Sequence, residues 1–134
     1  MSVGAWEPQV GGPQNETKEG FNREQLLRLI TIAESDTPFI ESVKNEDKQA
    51  SKLIRLPSQR WIDESDNWSS DQIWQLIRFF TQAEMKLPGW DAGAESAVIP
   101  LSKVLRQRSV PLTKDQLLWI RQHSNNRYLP YGPL

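Results

Sequence analysis

The chain has 134 residues, a formal net charge of −1 and no cysteine. The length suits one domain that buries roughly two thirds of its unfolded surface, and the missing cysteine removes disulfides, thiol nucleophiles and Cys-ligated zinc or iron–sulfur centres. The near-neutral charge removes any global attraction to nucleic acid or anionic lipid.

Residues 1–20 are rich in glycine, proline and polar side chains and contain Trp6. That composition predicts a disordered or loosely packed arm ahead of a single helical domain over 21–134. No basic start runs into an apolar stretch, so no secretory leader is expected. No uninterrupted apolar run approaches the roughly 18 residues of a membrane span. A cytoplasmic protein without membrane association is the expectation.

The first helix is predicted from Asn22, an N-cap residue with Gln25 three positions on, through the apolar stripe Leu26, Leu27, Leu29, Ile30 and Ile32. Pro38 sits where a second helix starts, with Phe39, Ile40 and Val43 on its apolar side. The polar run from Lys44 to Gln49 reads as a solvent-facing helix or a break. Helical spacing resumes at Ala50, Leu53 and Ile54 and stops at Pro57. Residues 58–69 read as a loop anchored by Trp61 and Trp68.

Ser69 and Gln72 form a capping-box pair before a strongly apolar segment. Ile73, Trp74, Leu76, Ile77, Phe79 and Phe80 cover more than half its circumference, so this helix is expected at the centre of the fold. Leu87-Pro88-Gly89 ends it. Pro100 restricts the next helix to a start near Ile99 or a kinked turn at 93–98. Thr113 with Gln116 opens the last helix, which carries Leu117, Leu118, Trp119 and Ile120. Nothing alternates as a strand does and no repeat is present. The fold class is therefore all-α, a compact bundle of four to five helices with short connections.

No catalytic constellation emerges. His123 is the single histidine, and its neighbour Ser124 cannot face it on a helix. Asp63-Glu64-Ser65-Asp66 lacks the spacing and the glycine of an EF-hand loop. No cofactor and no metal is expected, and the chain is read as non-enzymatic.

Two features point to binding. Residues 1–67 carry 8 Lys+Arg against 12 Asp+Glu (−4), whereas 68–134 carry 8 against 5 (+3). The closing stretch SNNRYLPYGPL places two tyrosines, two leucines, two prolines and an arginine in its last eight residues. Two stiffening prolines reduce the entropy lost on docking, so this tail is built to be ordered, on its own domain or on a partner. The function expected is a protein-interaction, regulatory or accessory role. An aromatic and basic C-terminal region would take a partner protein, or a second copy of the chain, through Trp90, Trp119, Arg121, Arg127, Tyr128 and Tyr131. The alternative is nucleic-acid association through Lys103, Arg106, Arg108, Lys114 and Arg121 on two consecutive helices. Val110-Pro111 in the connecting turn and Asp115 near the start of the second helix favour an ordinary helical hairpin over a DNA-reading motif.

Overall fold

A computed structural model describes residues 21–132, which form seven α-helices and no strand. The N-terminal arm expected over 1–20, Trp6 included, lies outside the described residues, as do Pro133 and Leu134. The helices are α1 (Arg23–Glu34), α2 (Phe39–Ser42), α3 (Asn45–Lys48), α4 (Ser58–Ser65), α5 (Ser70–Lys86), α6 (Val98–Gln107) and α7 (Lys114–His123). The all-α class holds; the expected four to five helices become seven because the chain between α1 and α5 folds into short pieces. No helix of the described residues is long and apolar enough to cross a membrane.

The 17-residue α5 is the axis, packed against α1, α6 and α7, while α4 packs on α6. Its start follows from sequence. The Ser69 hydroxyl accepts the Gln72 N–H at 3.1 Å, and the Gln72 side chain accepts the Ser69 N–H at 2.9 Å. Thr113 and Gln116 make the same reciprocal pair at α7. At α1 the Asn22 side chain accepts from the Gln25 N–H, with no return bond. Pro100 falls in the first turn of α6, where its missing N–H leaves no bond unmade.

Residues 58–65, read from sequence as loop, are helix α4. Pro57 at φ −53 sets the chain up for a helix, and Trp61 and Ser65, four apart, form its buried stripe. The tryptophan was the signal: it is completely buried and packs edge-on against Phe21 and Phe80. Glu64 accepts the Trp68 indole N–H at 2.9 Å, and Asp63 accepts from the Gln59 amide. Two of the carboxylates weighed as a cation loop thus have local structural partners.

The polar run after α2 closes into α3, and it hides one charge. Asp47 is 3% exposed and meets Arg28 of α1 through two bonds, from Nε at 2.8 Å and from Nη2 at 2.7 Å. It also accepts the Lys44 N–H at 2.8 Å. Burial opposes ionisation of this carboxyl, but the Arg28 and Lys44 donors and their charges outweigh it and hold the group below the ordinary carboxylate range. A depressed folded-state value stabilises the fold above the unfolded value, near pH 4, and the contribution fades as pH falls through the folded value. Because Arg28 is 37% exposed, Asp47→Ala is expected to cost about 2 kcal/mol, below the range for a fully buried pair. The variant should lose less stability than the parent in urea titrations taken below about pH 4. Equal acid sensitivity of the two proteins would show that other groups carry it.

Helix α6 ends in a backbone turn in which Ser109 takes φ 65 and the Val110 N–H reaches back to the Leu105 carbonyl at 3.0 Å. That left-handed position favours glycine. Ser109→Gly should raise the urea midpoint, by about 0.5–1 kcal/mol of stability. A lowered midpoint would mean that the serine side chain contributes something the backbone geometry does not reveal.

Candidate interaction surface

The C-terminal region divides into residues that hold the fold and residues that remain accessible. Trp90 belongs to the first group. It is completely buried, packs edge-on against Phe79 at 5.7 Å, and donates its indole N–H to the Lys48 carbonyl at 3.1 Å. It presents no surface to a partner in this conformation. Placed just after Pro88-Gly89, it reads as a loop residue, yet the turn at Gly89 (φ +82) returns it to the core. Trp61 and Trp68, the other two tryptophans at loop-like positions, are buried as well.

The tail packs on its own domain. Leu129, Pro130 and Gly132 are buried, with a cis Leu129–Pro130 bond between the two tyrosines. Gly132 has φ +95, and a Cβ there would stand 3.5 Å from the Ile99 side chain of α6. Tyr131 is half-buried beneath the Arg106 guanidinium, 4.3 Å from its ring centre. Tyr128 is half-buried, and Arg127 lies over its ring at 5.3 Å.

A polar clamp fixes the point where the tail leaves α7. Glu84 of α5 receives the Ala92 N–H at 3.2 Å and the Asn126 amide at 2.9 Å on Oε1, and the Ser96 hydroxyl at 2.7 Å on Oε2. Asn126 also donates to the Gly93 carbonyl and accepts the Tyr128 N–H, each at 2.9 Å. Neither Glu84 nor Asn126 stands out in the sequence. They lie 42 positions apart, and no local periodicity connects them.

Of the basic residues proposed for nucleic acid, Arg108 is taken up internally. It donates to the Ser65 carbonyl at 2.8 Å and the Trp68 carbonyl at 3.0 Å, tying α6 to the end of α4. Lys103, Arg106, Lys114 and Arg121 are exposed, Arg106 being also engaged over Tyr131.

Besides Tyr128 and Tyr131 of the tail, α5 and α7 carry partly accessible aromatic rings. Trp74 and Trp119 are both half-buried and meet edge to face at 5.8 Å. Arg78 lies over the Trp119 ring at 5.4 Å. The His123 ring stacks on Trp119 at 4.1 Å, and its Nδ1–H donates to the Trp119 carbonyl at 2.8 Å. Leu118, 53% exposed, and Arg121 are open to solvent elsewhere on α7. Trp119 and Arg121 were expected here. Trp74, Arg78 and Leu118 were assigned no binding role, because an apolar helix face predicts core and does not tell which stripe stays wet.

Comparison with family models, with curated proteins and with solved structures finds no match to the chain.

Proposed function

We propose that this is a non-enzymatic interaction or accessory protein that binds a partner protein through the α5–α7 face, with Trp119 as its anchor. The observation that carries the reading is the Trp74–Trp119 pair, half open to solvent, with Arg78 over the Trp119 ring and His123 stacked on it. Tryptophan and arginine dominate binding energy in protein interfaces, because large rigid surface is buried at low entropic cost. The rings here are already oriented by the edge contact, the histidine stack and the overlying guanidinium, so little ordering remains to be done on docking. Tyr128 and Tyr131 serve this reading as parts of the scaffold that positions α7.

The test is capture of partners by immobilised full-length chain, with and without nuclease, compared with Trp119→Ala. Protein capture that persists with nuclease and falls at least about tenfold in Trp119→Ala is the expected result. Capture that vanishes with nuclease and weakens steeply with salt would move the function to nucleic acid and to Lys103, Arg106, Lys114 and Arg121. Undiminished capture by Trp119→Ala would remove this face from the account.

A further inference from the structure

A groove of about 500 Å³ opens between the end of α5, the turn over 91–95 and the tail over 124–128. That volume lies in the range of small-molecule sites. Its wall contains Glu84, Asp91, Asn125, Arg127, Tyr128 and Met85. We propose that this groove binds a small zwitterion of the amino-acid class, with its ammonium on Glu84 and Asp91 and its carboxylate on Arg127.

Four observations support the assignment. The Glu84 carboxylate is held by three donors, all of them neutral. Neither of the two ion pairs among the described residues, Arg28–Asp47 and Arg55–Glu95, involves it. A carboxylate offers about four acceptor positions, so one remains on Oε2, where only Ser96 donates. Asp91 is exposed on the same wall, and it is its backbone carbonyl that Arg55 binds.

The groove therefore contains fixed negative charge with room for one strong donor, and an ammonium supplies charge-assisted bonds to it. A simple cation would meet repulsion from Arg127 on the same wall. A molecule with an acidic group beside its ammonium turns that repulsion into a second contact. The Met85 side chain, 45% exposed, and the Tyr128 ring supply apolar surface for the body of such a ligand. This site is separate from the Trp119 face and does not depend on it.

The probe is L-leucine, titrated into the full chain and followed by amide NMR at Gly93, Asn125 and Tyr128. Saturable shifts at these positions are expected. N-acetyl-leucine, which lacks the ammonium, and leucine methyl ester, which lacks the carboxylate, should each bind at least about tenfold more weakly. Asp91→Asn at the exposed rim should weaken leucine by a similar factor without disturbing the clamp, and Glu84→Gln should weaken it further. Equal binding of the acetylated compound or of the ester overturns the assignment. So does the absence of saturable shifts, or an unchanged affinity in both the Asp91 and the Glu84 variants.

Discussion

Trp90→Ala is expected to cost about 3–5 kcal/mol of stability. A domain of this size has a total stability of about 5–15 kcal/mol, so the loss takes a large share of it. The indole is completely buried between Phe79 and Phe80, and α5 cannot collapse onto the hole without losing its packing on α1 and α6. The indole N–H bond to the Lys48 carbonyl also disappears, and this bond ties the 89–92 segment to the end of α3. Urea unfolding followed by circular dichroism measures the effect. A cost below about 1 kcal/mol would mean that the Trp90 pocket repacks or stays open, and would return Trp90 to the list of surface anchors.

Trp61→Ala should cost a similar amount, about 3–5 kcal/mol, for a related reason. This ring is the large apolar member of the buried stripe of α4 and links Phe21 on one side to Phe80 on the other. The milder Trp61→Phe separates two contributions. Phenylalanine keeps most of the apolar contact but removes the indole donor, 3.0 Å from the Leu53 carbonyl, which then keeps only the Leu56 N–H at 3.3 Å. A lost hydrogen bond to a carbonyl that keeps a second donor costs about 0.5–1.5 kcal/mol, so Trp61→Phe should fall between the parent and Trp61→Ala in urea midpoint. A Phe variant as stable as the parent would show that the indole N–H contributes nothing beyond the ring.

These effects show which parts of the molecule were legible in its sequence. Helix starts at Asn22, Ser69 and Thr113 were readable because capping is local chemistry within four residues. The central position of α5 was readable from its apolar circumference. Helix α4 was not, because its sequence is mostly polar and only Trp61 and Ser65 mark the buried stripe. The Arg28–Asp47 pair spans 19 positions and the Glu84–Asn126 clamp spans 42, and such contacts follow from tertiary packing alone. The same limit explains Trp90. Its neighbours Pro88, Gly89 and Gly93 describe a turn, and a turn does not say whether the residue within it faces the core or the solvent.

The tail answers differently. Its aromatic and proline content predicted order, and Leu129, Pro130 and Gly132 are buried in their own chain, Gly132 beside Ile99 of α6. The proposed partner surface lies on α5 and α7, with Trp119 partly accessible and Leu118 exposed, while Arg127, Tyr128 and Tyr131 of the tail also keep exposed or half-buried surface.

The most direct test of that division is Leu118→Glu, measured for both stability and capture in the same preparation. Leu118 is more than half exposed, so the charge should change stability by no more than about 0.5 kcal/mol. Placed beside Trp119, it should nonetheless abolish protein capture that survives nuclease. An unchanged urea midpoint with lost capture is the result expected of a docking face on α5 and α7. An unchanged midpoint with full capture would contradict it and place the partner surface elsewhere on the protein.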